Sequence, residues 1–203
     1  MRWTEFASRE ARLTLQEWQK RTGDITFPIP VEDIADLYYH VSIDLSHTLP
    51  ARTAGRLYAD QRVMEIRRDD PEPRQRFTIA HEIGHYRLHV LIEKLLPNGY
   101  GCDETILDLQ DQEVTELLPG FPSPLPEPHA PLSAHIARRI EIEANAYAAE
   151  LLMPATMVEQ AIAEFGLDVQ MLAANFVVSQ QAMHYRLEKL LFLPPPGPQT
   201  TFL

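Results

Sequence analysis

Two histidines four residues apart, with a glutamate directly after the first, constrain this chain more than any other feature: Ala80-His81-Glu82-Ile83-Gly84-His85. Four residues advance a helix by slightly more than one turn, so the imidazoles of His81 and His85 stack on one face and can grip one metal ion. Glu82 is then angled toward the open side of the ion. There it can take a proton from a water whose pKa zinc lowers to roughly 7. With 8 His among 203 residues the pattern arises by chance only about 0.03 times, so the spacing points to a zinc hydrolase core.

The flanking residues support a helix with one buried face. Asp69 and Asp70 suit an N-cap, Pro71 the first helical position and Glu72 the positive end, while Phe77, Ala80, Ile83, Gly84 and Leu88 form an apolar stripe. Gly84 costs that helix about 1 kcal/mol relative to alanine, which predicts that another backbone passes close to the metal-binding turn.

A catalytic zinc commonly takes three protein ligands and keeps the fourth position open. His89 continues the four-residue spacing but drifts too far around a straight helix to close a tetrahedral site, so it reads as a group behind the ligands or on the surface. The longer HExxHxxGxxH pattern fails, because Leu88 and Leu91 stand where its glycine and histidine belong. A second helix, from Ala137 to Met153 and closed by Pro154, offers Glu141 and Glu143. They lie roughly 200 degrees apart around the helix, so only one faces the metal. Glu141 shares its face with Asn145, which can hydrogen-bond a ligand histidine. This makes Glu141 the favoured third ligand, with a solvated acid on the helix face as the alternative for either glutamate.

Two blocks of residues resemble the ImmA/IrrE family of bacterial zinc metallopeptidases. One runs from Arg76 to His89 around the histidine pair, and the other from Glu141 to Pro154, reading Glu-Ile-Glu-Ala-Asn-Ala-Tyr-Ala-Ala-Glu-Leu-Leu-Met-Pro. The resemblance covers about residues 25 to 190. It implies an α+β, zincin-like peptidase fold and a glutamate as third ligand, in the position four residues before the asparagine. It also implies a protein substrate, since members cleave helix-turn-helix repressors and so switch on stress-response or mobile-element genes. Zn2+ is the implied metal, with Mn2+ or another divalent ion as an alternative.

The separation of His85 from Glu141 exceeds what the resemblance leads one to expect, by a small insert. From Glu93 to Pro131 eight acids face Lys94 alone, which is −7 of the chain's −11. Asp103 to Leu118 reads as a short acidic helix, and Pro119 to Pro131, with six prolines, as a stiff connector. Beside a catalytic cleft such a segment would serve as a lid or a docking surface.

The remaining chain suits one domain with a helical appendix: residues 1–155 as the peptidase domain, 156–193 as a helical segment and 194–203 as a Pro-rich tail. Helices are expected from Thr4 to Arg21 and from Val31 to Tyr39. Strands are expected at Val41 to Leu45, Gly55 to Ala59 and Val63 to Arg67, with Asp60-Gln61-Arg62 as a hairpin turn, forming a small antiparallel sheet before the metal helix. Val169 to Leu191 reads as helix, turn, helix. The outline resembles a DNA-binding module, but its second helix offers only Arg186 and Lys189 beside Glu188 in an acidic chain, which argues for packing over nucleic-acid binding.

No apolar signal core or membrane-spanning run is legible, and the lone Cys102 can form no internal disulfide, so a cytoplasmic location is expected. Two functions compete: an endopeptidase using Glu82, and a non-catalytic regulator that binds a repressor or DNA around a structural metal. An intact Glu82 favours the first, because a structural site needs no base.

Overall fold

The computed structural model describes residues 3–23, 25–96, 100–103 and 134–194. The acidic helix expected over 103–118 lies outside the described residues except for Asp103. The connector over 119–131 and the tail beyond Pro194 also lie outside.

Helix α1 (Trp3–Thr22) buries Ala7, Ala11, Leu15 and Trp18, a seam at helical spacing whose alanines let a neighbouring helix approach closely. Phe6 and Leu13, at its margin, are only half-buried. Helix α2 (Val31–Asp33) runs on into a wider π-helical turn, Ile34–Tyr38, in which Tyr39 N donates to Ile34 O at 3.1 Å.

Three strands follow, β1 (Ser42–Ser46), β2 (Thr53–Tyr58) and β3 (Val63–Arg67). The β2–β3 hairpin is antiparallel, pairing Tyr58 with Val63, and its turn uses Arg62 in the left-handed region (φ 54°). The sheet as a whole is mixed, which corrects the expected antiparallel arrangement. β1 lies beside β3 and parallel to it, with Ser42 opposite Val63 and Ser46 opposite Arg67. The connection from β1 skips the adjacent place and leaves it to β3, so β1 and β3 run the same way with β2 beyond them. A fourth strand that the sequence patterning did not reveal, β4 (Tyr100–Asp103), pairs antiparallel with the outer edge of β2, giving the order β1-β3-β2-β4.

Helix α3 (Glu72–Gly84) carries the first histidine. It starts one residue later than expected, with Pro71 just outside it at the N-cap. Pro71 O accepts from Arg74 N (2.9 Å) and Gln75 N (3.0 Å), while Asp70 pairs with Arg74 Nε at 3.4 Å. Beyond Gly84 the helix widens into a π-helical stretch, His85–Ile92, closed by Glu93 N donating to Leu88 O at 2.9 Å.

Helix α4 (Ala134–Leu152) crosses α1 and α3 and is buried along Ile140, Ala144, Tyr147, Ala148 and Leu151. Its contact with α3 is close. A Cβ on Gly84 would lie 3.2 Å from Ala144 Cα, so the backbone that Gly84 was expected to accommodate is that of α4. A buried hydroxyl cluster ties α4 to α1, since Thr14 Oγ1 lies 2.7 Å from Tyr39 Oη and 2.8 Å from Tyr147 Oη. Among the described residues three helices follow: α5 (Ala155–Phe165), α6 (Val169–Phe176) and α7 (Gln180–Lys189). Asp168 and Ser179 cap α6 and α7, accepting from Met171 N and Ala182 N. Their apolar residues Leu172, Phe176, Met183 and Leu187 join one continuous core with Leu151 and Leu152. Among the described residues no helix is long and apolar enough to cross a membrane.

Candidate metal centre

The site lies where α3, its π-helical continuation and α4 meet under β2. His81 and His85 are fully buried, with their Nε2 atoms 2.9 Å apart. From α4, Glu141 is turned toward both: Oε2 lies 3.3 Å from His81 Nε2 and Oε1 lies 3.5 Å from His85 Nε2. A tetrahedral ion with bonds of about 2.0–2.2 Å spaces its ligands roughly 3.3–3.6 Å apart, so three donors at 2.9, 3.3 and 3.5 Å sit close to the edges that such an ion needs. The two imidazoles and one carboxylate are a donor set for zinc or a similar divalent metal.

Electrostatics favour the protonation states that metal binding requires at His85 and Glu141. Burial pushes the His85 imidazole down to about 4, against the attraction of Glu141, so it is neutral with a free lone pair. Burial alone would raise Glu141. The polar contacts with His85 and His81 outweigh it and hold that carboxyl well below the usual carboxylate range.

Glu82 lies beside the three donors, fully buried, and neither of its carboxylate oxygens has a hydrogen-bond partner among the described residues. A buried, unpartnered carboxylate is costly, and its presence calls for a chemical use or for a partner that arrives with the metal. Burial first, and the Glu141 carboxylate second, drive its pKa well above the ordinary value, with Arg56 opposing. Room for Glu82 comes from Gly55 on β2. A Cβ there would fall 2.5 Å from Thr78 Cγ2 and 3.2 Å from Glu82 Oε1. Sequence reasoning passed over Gly55, although a glycine inside a strand pattern is the usual sign of a close approach.

The groups behind the ligands differ for the two histidines. His81 Nδ1 lies 2.9 Å from Asn145 Oδ1, on the α4 face that also carries Glu141. His85 Nδ1 lies 3.1 Å from His89 Nδ1, and His89 Nε2 lies 3.0 Å from Glu143 Oε2. His89 is therefore behind a histidine of the donor set and not on the surface. Glu143, which helix spacing turns away from the metal, is only 2 % exposed and meets His89 from the wider π-helical stretch.

The helix-turn-helix-like segment does not present a basic face. Arg186 is buried, donating to Met153 O at 2.9 Å and to Glu150 Oε2 at 2.6 Å, so its charge is spent on joining α7 to the end of α4. A groove of about 800 Å³ runs between α1, the start of α3, α4 and α7, with Asn145 and Phe77 in its wall.

The sequence family described as Peptidase_M78, IrrE N-terminal-like domain, matches residues 28–115 and 127–188. No curated protein matches the sequence. Among solved structures, one described as a Mycobacterium tuberculosis transcriptional regulator is similar in fold, with a TM-score of 0.54 at 17% identity. The match covers 92% of this chain but 46% of that one, so the chain spans about half the length of its structural neighbour.

Proposed function

The chain belongs to the Peptidase_M78, IrrE N-terminal-like family, and from that premise we propose that it is a zinc-dependent endopeptidase with Glu82 as its catalytic acid–base. The observation that carries this reading is the convergence of His81, His85 and Glu141 beside a fully buried Glu82 with no hydrogen-bond partner among the described residues.

His81 and His85 would hold the ion through Nε2, and Glu141 through its carboxylate. When bound, zinc supplies Lewis acidity that makes water acidic near neutral pH and polarises a peptide carbonyl. Glu82 accepts the proton of the attacking water on a carboxylate oxygen and passes it to the nitrogen of the departing amine. Its upward-shifted pKa, driven by burial and then by Glu141, makes this carboxylate readier to take up a proton than an ordinary glutamate. Asn145 accepts the Nδ1–H of His81 and so keeps that ring presenting Nε2. Gly55 leaves the space in which the Glu82 carboxylate lies.

The substrate we assign is a helix-turn-helix repressor, whose cleavage would derepress stress-response or mobile-element genes in the cytoplasm. The family resemblance of the two motif blocks supports this class. The burial of Arg186 supports a protein partner over direct DNA contact. A purely structural metal is disfavoured by Glu82, because burying an unpartnered carboxylate is a cost that a structural site has no reason to carry.

The test is Glu82→Gln, nearly isosteric but unable to accept the proton. The variant should bind zinc as the wild type does and lose cleavage of the repressor encoded nearest its gene, by about 100-fold or more. Cleavage at a wild-type rate would remove Glu82 from the chemistry.

A further inference from the structure

We propose that His89 and Glu143 form a positioning relay for His85, setting which of its ring nitrogens faces the metal, with Arg139 and Glu93 closing the chain toward the surface. The inference rests on the metal-site reading above and concerns residues which that reading does not use.

The bonding pattern leaves one consistent assignment of protons. If His85 offers Nε2 to the ion, its proton is on Nδ1, and the acceptor 3.1 Å away is His89 Nδ1. His89 must then carry its own proton on Nε2, which donates to Glu143 Oε2 at 3.0 Å. Beyond Glu143, Arg139 Nε lies 3.8 Å from the same oxygen, and Arg139 Nη2 donates to Glu93 Oε2 at 2.6 Å. His85 and His89 are fully buried and Glu143 nearly so, whereas the side chains of Arg139 and Glu93 are 24% and 23% exposed. The hydrogen bonds from His85 to His89 and from His89 to Glu143, made between buried atoms, hold both rings in one orientation. His81 is held differently, by the neutral amide of Asn145, so the two ligand histidines differ in the charge behind them.

The backbone supplies the alignment. From His85 onward the helix is π-wound, and this wider coil places His89 against the rear nitrogen of His85 rather than beside the Nε2 pair. His89, Glu93 and Glu143 also offer ligand atoms within 4.8 Å of one another, which would suit a second metal ion. Arg139 contradicts that use. Its guanidinium bonds Glu93 and approaches Glu143, so a permanent cation already serves both carboxylates.

The experiment is a zinc competition titration of the full chain with metal counting, on the wild type and three variants. His89→Leu removes both bonds of the relay. The double variant His89→Leu/Glu143→Met replaces the pair by apolar groups and leaves no uncompensated buried charge, so it keeps the test valid if the single variant fails to fold. Glu143→Gln retains an oxygen that can accept from His89 Nε2–H.

One zinc per wild-type chain is expected, with affinity about 10–100-fold weaker in His89→Leu and in the double variant, and most of the wild-type affinity kept in Glu143→Gln. Ring 15N spectra of the zinc-loaded wild type should show His85 protonated on Nδ1 and His89 on Nε2. Wild-type affinity in the folded double variant, a His89 proton on Nδ1, or a second zinc that His89→Leu abolishes would each overturn the relay while leaving the site reading intact. A wild-type chain that binds no zinc would overturn both.

Discussion

Gly84→Ala tests the close packing that brings α4 to the histidines. The added Cβ would lie 3.2 Å from Ala144 Cα, 3.2 Å from Tyr147 Cβ and 3.3 Å from Ala144 O. Carbon atoms pack best at about 3.5–4.0 Å, so each contact is short by a few tenths of an ångström. Two of the three atoms are α4 backbone, which cannot swing aside as a side-chain tip can. Alanine gains about 0.8–1.0 kcal/mol over glycine in a helix interior, and overpacking costs about 1–3 kcal/mol, so the net loss of stability is about 0–2 kcal/mol. The larger effect falls on the site, because Ala144 sits between Glu141 and Asn145. Pushing α4 outward lengthens the 3.3 and 3.5 Å separations of Glu141 from the histidines and loosens the Asn145 hydrogen bond. Urea unfolding of the metal-free protein and zinc competition would be measured side by side, with zinc affinity expected to fall about tenfold. An alanine variant more stable by the full helix-propensity gain, with zinc affinity unchanged, would refute the packing argument.

Gly55→Ala should leave zinc bound but slow cleavage by up to about 100-fold, because the new methyl meets Thr78 Cγ2 at 2.5 Å and Glu82 Oε1 at 3.2 Å; single-turnover assays on the zinc-loaded variant would show this. Glu141→Ala should empty the site by metal analysis, whereas Asn145→Ala should weaken zinc by only about 10–100-fold, since the amide bonds a ligand and is not one itself. Arg186→Met should cost about 3–5 kcal/mol in denaturant unfolding by leaving Glu150 buried with only the half-exposed Arg12 as its ion pair, and should leave zinc affinity as it was.

The spacing of His81 and His85 was enough to place two imidazoles side by side, because a four-residue separation on a helix is a local relation that no tertiary contact is needed to create. Local alternation and turn chemistry likewise marked the β2–β3 hairpin, and the helical spacing of apolar residues in α1 marked a packed helix. The parallel pairing of β1 with β3 was not legible in this way, since which strand fills the gap beside another depends on contacts far apart in the chain. The same holds for Glu143 and His89. Helix spacing turns Glu143 away from the metal and leaves His89 either behind the ligands or on the surface. Only the π-winding after Gly84 and the approach of α4 bury both and bring them 3.0 Å apart. Periodicity along one helix is set by backbone geometry and can be read from residue order, whereas the meeting of two helices is set by what packs between them. Here Gly84 lets α4 come close enough at Ala144 for Glu141 to meet the histidine pair while Glu143 meets His89 behind it.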